Sequence, residues 1–187
     1  MEGSTALLLV LGVFILFVIL GYNRLVGLRN SVDKSFASID AMAKKRYDLI
    51  PNLVATVSKY MEHERGTLTD ITEMRAKAMS GNLSDNDKVD LDNKISRAMG
   101  GIMVAVENYP DLKANQNFLQ LQGSLNEIEE QLSAARRAYN AAVTDYNNAC
   151  QMFPSNVFAM MFNFKTRRLF EITEVERQNV DVKSLFG

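Results

Sequence analysis

The chain has 187 residues, a formal net charge of −1 and an isoelectric point of about 5.9. A chain without a basic surplus lacks the electrostatic signature of nucleic-acid-binding proteins, so nucleic acid is excluded as a partner. Its one cysteine, Cys150, cannot form an intrachain disulfide, which fits a reducing compartment. Three prolines and ten methionines favour long helices over sheets in the body of the protein.

The first predicted element is an uncharged apolar segment from Ala6 to Tyr22. As a helix with a rise of about 1.5 Å per residue it is roughly 25 Å long, close to the thickness of the hydrocarbon core of a bilayer. It has no polar face, and it has neither the basic start nor the small-residue cleavage site of a signal peptide. We therefore predict an uncleaved transmembrane anchor over residues 1–23, with membrane lipid as a partner.

The charges beside this segment predict its orientation. Arg24, Arg29 and Lys34 follow it, whereas no Lys or Arg precedes it. Because the side richer in Lys and Arg stays in the cytoplasm, we expect a single-pass protein with its N-terminus outside and residues 24–187 inside.

A long helix is predicted directly after the anchor. From Arg24 to Met79 the apolar residues recur three or four positions apart, with one gap. Pro51 removes a backbone hydrogen bond inside this segment, which predicts a kink near Tyr47. Gly81 ends the helix, and Ser80 to Asn86 is a polar loop.

Two further helices and a short fourth one complete the prediction. Ser84 or Asp85 caps the second, which stops before Pro110. In the third, from Phe118 to Phe153, apolar residues alternate steps of three and four, as in a left-handed bundle or coiled coil. The predicted fold is all-α: an N-terminal transmembrane helix followed by an antiparallel four-helix bundle with long helices. The bundle is expected over residues 24–170, with the tail 171–187 packed on or near it.

An apolar patch follows Pro154. Phe158, Met161, Phe162 and Phe164 belong to it and form a candidate interface. A segment of this kind, followed by basic residues, can touch a membrane surface. With helices that alternate in direction, however, the third helix ends roughly 50 Å or more from the bilayer, where the patch caps the core or binds a partner. If the break at Pro110 is not a chain reversal, the patch instead returns to the membrane.

The polar residues of the helices offer little chemistry. The one histidine, His63, excludes the Glu-x-x-His pairs of a di-iron bundle. Cys150 follows a core position and is expected to pack as a small hydrophobe. Glu129 and its acidic neighbours are expected to be exposed, whereas Asn147 either makes an interhelical hydrogen bond or is solvated. We predict no catalytic, metal-binding or cofactor-binding residue, no small-molecule substrate and no enzymatic activity.

Several runs of residues resemble the LemA family from the anchor to about Phe170. They are Tyr22-Asn23-Arg24-Leu25-Val26-Gly27-Leu28-Arg29-Asn30, Ile39-Asp40, Lys45-Arg46-Tyr47-Asp48-Leu49-Ile50-Pro51-Asn52-Leu53-Val54, Glu107-Asn108-Tyr109-Pro110-Asp111-Leu112-Lys113-Ala114-Asn115, Asn117-Phe118, Leu121-Gln122, Ala135-Arg136, Tyr139-Asn140, Tyr146-Asn147 and Phe153-Pro154.

This resemblance implies an anchored protein of the bacterial inner (cytoplasmic) membrane with a cytosolic antiparallel four-helix bundle. The family has no established catalytic activity, so no catalytic residue is carried over. Its members are suspected of organising membranes, one branch in magnetosome membranes, and some are associated with membrane metallopeptidases. Arg46, Asp48 and Asn52 surround Pro51, and we hypothesise that their side chains bridge the broken helix to a neighbour. The alternative is that they are solvated on a helix that merely bends.

The sequence thus favours a non-enzymatic scaffold that forms homo-oligomers through its helix faces or through the apolar patch. The alternative is an adaptor or regulatory partner of a membrane protease or another inner-membrane complex. Self-association separates the two, because the adaptor requires a different membrane protein as its partner.

Overall fold

The computed structural model describes residues 2–170, which are predominantly helical and contain no strand. The all-α prediction is therefore confirmed at this level, whereas the predicted tail 171–187 lies outside the described residues. The elements in chain order are α1 (Glu2–Val57), a 3₁₀ turn (Glu62–Glu64), α2 (Arg65–Met79), α3 (Asp85–Val106), the single turn α4 (Pro110–Lys113), α5 (Gln116–Gln151) and α6 (Ser155–Met161).

The described residues form two compact units. The first unit combines residues 2–42 with residues 131–169, and the second combines residues 43–130 with Phe170. Both α1 and α5 therefore contribute one part to each unit. Each unit contains buried apolar residues, and each holds one of the two sites described below.

The core of the first unit is built where α1 meets α5 and α6. Leu25 of α1, Ala149 of α5 and Phe158 of α6 are buried together, and Cys150 packs against them. Farther along the same helices the Phe36 ring lies 5.6 Å from the Tyr139 ring, centroid to centroid. Large side chains on one helix thus meet small ones or other rings on the next, as close packing requires.

In the second unit, residues with specific backbone roles mark where the helices α3, α4 and α5 begin. The Ser84 hydroxyl accepts a hydrogen bond from the Asp87 N–H at 3.3 Å and caps α3, as predicted. Pro110 occupies the first turn of α4, where its missing N–H costs nothing. The Asn115 side-chain oxygen then accepts from the N–H groups of Asn117 and Phe118, and so caps the start of α5.

The predicted single helix from Arg24 to Met79 is wrong. α1 ends at Val57, whose carbonyl accepts from the N–H groups of both Tyr60 and Met61. Met61 then leaves the helical region, with φ −108° and ψ 63°, while its side chain remains fully buried. The chain breaks here without a glycine or a proline. Met61 is buried although it no longer belongs to the helix.

The break reverses the chain. The Arg75 Nε–H of α2 donates to the Tyr47 carbonyl of α1 at 2.7 Å, so residue 75 lies beside residue 47. α2 is therefore a returning segment and not an extension of α1. The chain therefore reverses once more than the sequence analysis predicts. Because each reversal changes the direction of the helices that follow, the additional one determines where α5 ends.

Candidate functional site

The first site lies in the first unit, where α6 packs onto the apolar part of α1. The Phe158 ring is 5.3 Å from the Phe17 ring in an edge-on arrangement. It also covers Gly21 so closely that a Cβ atom at that position would approach the ring to 2.5 Å. Only a glycine lets the ring sit this near the helix backbone. Phe158 is therefore the residue that holds α6 against α1.

A second layer of aromatic contacts extends this packing beyond α6. The Tyr22 ring lies 4.9 Å from the Phe162 ring and 5.9 Å from the Phe164 ring, in both cases edge to face. The Arg29 guanidinium lies over the face of Phe164, 5.3 Å from its centroid. Edge-on aromatic pairs and a cation over a ring face are both favourable, so the segment after α6 is fixed to α1 as well.

The chain after α6 is also tied to α5. Asn147 and Arg167 exchange two hydrogen bonds, because the amide nitrogen donates to the Arg167 carbonyl at 2.9 Å and the amide oxygen accepts from the Arg167 N–H at 2.8 Å. The Tyr139 hydroxyl donates to the Arg168 carbonyl at 3.1 Å. The sequence analysis expects Asn147 either to make an interhelical hydrogen bond or to be solvated. In the structure it instead binds the backbone of an irregular segment.

The prediction that the apolar patch lies roughly 50 Å or more from the predicted transmembrane segment is wrong. α6 lies against Phe17 and Gly21, which belong to the predicted transmembrane segment. The physical reason is the additional reversal after Val57, which brings α5 back along α1. Of the four predicted interface residues, Phe158 is buried and Phe164 half-buried, whereas Met161 and Phe162 are exposed.

The second site is a buried polar cluster around Arg46 in the second unit. The guanidinium pairs with the Asp92 carboxylate of α3 and, at 2.8 Å, with the Glu129 carboxylate of α5. It also donates to the Ser96 hydroxyl at 2.7 Å, and the Tyr47 hydroxyl donates to Asp92 at 3.1 Å. One arginine side chain therefore joins three helices through charged hydrogen bonds.

Burial and charge oppose each other at this cluster. Burial alone would lower the pKa of Arg46, but the Asp92 and Glu129 carboxylates outweigh it and raise the pKa above its ordinary value. Burial and the Asp92 charge both raise the pKa of Tyr47, which Arg46 lowers in part. Arg46 is thus a permanent cation and Tyr47 a neutral donor at physiological pH.

The residues predicted to form a network at Pro51 do not share one environment. Arg46 is fully buried, whereas Asp48, Pro51 and Asn52 are exposed. α1 continues through Pro51 to Val57. That Asp48 and Asn52 act together with Arg46 remains a prediction. The sequence analysis does not identify the partners of Arg46, since it predicts that Glu129 is exposed. For Asp92 one feature of the sequence was informative: it is an acidic residue next to the apolar positions of α3.

The family relationship is decided by a comparison with known proteins. The model of the LemA family matches residues 35–184, which is most of the chain. The chain belongs to the LemA family. Its resemblance to that family is therefore confirmed.

Three relatives of this LemA-family protein illustrate the range of the match. Protein LemA of Metamycoplasma hominis is 27% identical over 178 residues, covering 95% of this chain and 81% of the relative. Magnetosome protein MamQ 2 of Paramagnetospirillum magneticum is 22% identical over 183 residues, covering 84% and 67%. Magnetosome protein MamQ of Magnetospirillum gryphiswaldense is 21% identical over 199 residues, covering 90% and 73%. None of these three names denotes an enzymatic activity.

Among the described residues of this LemA-family protein, α1 is the one helix that is long and apolar enough to cross a membrane. The side chains of its apolar part are exposed, Leu11 by 52%. Together with the similarity to magnetosome proteins, this indicates a single-pass membrane protein.

Reactive groups are few in the part of the chain that the structure describes. No group of three or more His, Cys, Asp and Glu residues there is placed to hold a metal ion. Cys150 is half-buried against the core of the first unit, and burial raises the pKa of its thiol, which makes it a poor nucleophile.

Proposed function

We propose that this LemA-family protein is a non-enzymatic scaffold, anchored in the bacterial inner membrane, that organises the membrane by self-association. α1 crosses the bilayer with its N-terminus outside. The helical segments that follow form an antiparallel four-helix bundle in the cytoplasm. Arg24 and Arg29, directly after the apolar segment, support this orientation.

One observation carries the proposal: the helix that exposes its apolar residues is the same helix that is buried in the body. α1 exposes most of its apolar side chains between Leu7 and Leu20 and, farther on, contributes the fully buried Ile50 and Leu53. A soluble protein would not expose such a surface, because each apolar side chain left in water costs about 1.5–3 kcal/mol relative to burial. The continuity of α1 from exposed apolar residues to buried ones therefore supports a membrane-anchored protein.

The charged groups inside the body support a structural role. Arg46, Asp92 and Glu129 are directed at one another across three helices. An active site instead needs such groups around a cleft that a substrate enters. In addition, the magnetosome proteins to which the chain is similar support a function in membrane organisation.

Self-association requires a surface on the helices. In the second unit, the large apolar side chains with substantial exposure are Met79, Val104 and Leu119, of which Val104 is exposed by 73%. Val104 is therefore the best-placed contact residue on a helix face. The apolar patch of α6 lies beside α1, and we assign it a different partner below.

Cysteine crosslinking in the membrane tests self-association. We expect Val104→Cys, in a Cys150→Ala background, to give a crosslinked dimer in native membranes and a mass above the monomer after detergent extraction. Glu73→Cys, an exposed polar position on α2, is the matched control and should crosslink less.

A monomer in both measurements would overturn the scaffold. A stoichiometric membrane protease or another membrane protein in a pull-down, without crosslinked dimer, would support the adaptor instead.

A further inference from the structure

The face of α6 that points away from α1 is strongly apolar. Within α6, Met160 is exposed by 75%, and Val157 and Met161 are exposed as well; directly before α6, Met152 is exposed and Phe153 is exposed by 82%. No charged residue occurs between Asp145 and Lys165. A contiguous apolar surface of this kind marks an interaction site on a folded protein.

The position of α6 along α1 identifies what this face meets. Phe158 contacts Phe17 and Gly21, which lie at the C-terminal end of the apolar segment Ala6 to Tyr22. Phe17 and Tyr22 are themselves partly exposed. The exposed apolar residues of α6 therefore lie beside the exposed apolar residues at this end of the segment.

Basic residues follow both apolar segments in the sequence. Arg24 and Arg29 follow the apolar part of α1, and Lys165, Arg167 and Arg168 follow α6. The Arg167 guanidinium lies 3.4 Å from the Asp33 carboxylate, so one acid moderates this charge. Apolar residues bordered by Lys and Arg are the pattern of helices that lie in the interface of an anionic membrane.

We propose that α6 is an interfacial membrane helix, whose exposed face inserts into the boundary between headgroups and acyl chains of the cytoplasmic leaflet. Phe158 fixes it to α1, and Phe153 and Met160 enter the lipid. This inference rests on the proposed membrane span of α1. The partner is the lipid bilayer and not a second copy, because the exposed apolar residues of α6 lie beside the part of α1 that faces lipid.

Fluorophore labelling of the full chain tests this proposal. Single cysteines are introduced in a Cys150→Ala background at three positions, Leu11, Met160 and Val104. Each is labelled with an environment-sensitive fluorophore, and the protein is placed in vesicles of phosphatidylcholine and phosphatidylglycerol. Lipids brominated on their acyl chains then quench any label that touches the hydrocarbon. Met160 and Val104 have nearly the same exposure, 75% and 73%. Val104 is the contact residue assigned to self-association above, so its label meets water or a second copy but not acyl chains, and it is the control for lipid quenching.

The expected result is a blue-shifted and lipid-quenched label at Met160→Cys, with quenching near that of Leu11→Cys and well above that of Val104→Cys. A blue-shifted label at Met160 that lipid does not quench would overturn the proposal and indicate a protein partner. A label at Met160 in water would overturn it as well. Loss of quenching at Leu11 would instead show that α1 does not span the bilayer, which is a failure of the proposed function.

Discussion

The Arg46 side chain joins three helices, and the free energy that it contributes depends on the burial of its partners. Asp92 is almost fully buried and Glu129 is half-exposed, so the two carboxylates differ in what they lose when the arginine is removed. A buried charge whose partner is removed costs more than the pair contributed, because it remains out of water without compensation.

We therefore expect Arg46→Met to lower the free energy of unfolding by about 3–5 kcal/mol, measured by urea unfolding of the detergent-solubilised protein. Arg65→Met is the control: Arg65 lies 3.9 Å from Glu62 at an exposed position, so we expect a change of about 0.5 kcal/mol or less. The double variant Arg46→Met with Asp92→Leu should recover most of the loss. A small effect of Arg46→Met would mean that the cluster contributes little.

Tyr47 makes this cluster sensitive to alkaline pH. Burial and Asp92 raise the pKa of Tyr47 above its ordinary value of 10.0. The folded protein then retains the phenol proton where the unfolded chain has lost it, so the free energy of unfolding falls as the pH rises above about 10. We expect Tyr47→Phe to flatten this fall while costing about 1 kcal/mol at neutral pH for the lost hydrogen bond. Unfolding curves across this pH range measure both, and an unchanged slope would contradict the assignment.

Residue types alone indicated part of this cluster. Arg46 was expected to bridge to a neighbouring helix, but its partners lie 46 and 83 positions farther along the chain. Local spacing carries no information about such distant pairs. The alternating steps of three and four along α5 would also place Ala135 in the core, whereas Arg136 beside it is the buried residue.

Among the elements, the contact of α6 with α1 depends on one glycine. Gly21→Ala would place a methyl group within the Phe158 ring, and overpacking of this kind costs roughly 1–3 kcal/mol. We expect a lower thermal unfolding midpoint, measured by circular dichroism in lipid nanodiscs. Gly27→Ala is the control on the same helix: no atom lies within 4 Å of its added Cβ, so the higher helix propensity of alanine should leave the midpoint unchanged or raised. Equal effects of the two variants would contradict the packing role.

The segment after α6 is held by Asn147. Asn147→Ala removes both hydrogen bonds to Arg167, at about 1 kcal/mol each, and should free the backbone near Lys165. Limited trypsin digestion measures this as faster cleavage after Lys165, Arg167 and Arg168. The neighbouring Asn148→Ala, at an exposed position, should leave the cleavage rate unchanged. Similar rates in the two variants would show that the segment is held by its aromatic contacts alone.

Helix boundaries were predictable where a residue with a specific backbone role marks them. Ser84 and Pro110 are such residues, and both act as expected. The break after Val57 has no such marker, since Val57 and Met61 keep the spacing of one helical face. The gap between Met61 and Leu68 was the available signal. Because a missed reversal changes the direction of every later helix, this local error placed α6 away from the apolar segment of α1, which it contacts in the structure.

For the whole molecule, the basic residues after the apolar segment predict which side of the membrane holds the body. In sealed spheroplasts, external protease should leave residues 24–187 intact. In inverted membrane vesicles the same protease should digest them, and carbonate washing should leave the undigested protein in the membrane fraction. Digestion from outside, or release by carbonate, would contradict the orientation or the anchor respectively.

The seating of Phe158 beside Gly21 has a consequence for the shape of the bilayer. If α6 lies in the membrane as proposed, α1 displaces lipid near Leu11 with the cross-section of one helix, whereas near Gly21 α6 lies alongside it and adds to that area. A crowded array of such molecules would expand the cytoplasmic leaflet more than the opposite one. A sheet whose two surfaces have unequal areas relaxes by bending, so packing density alone would favour a curved membrane that bulges toward the cytoplasm.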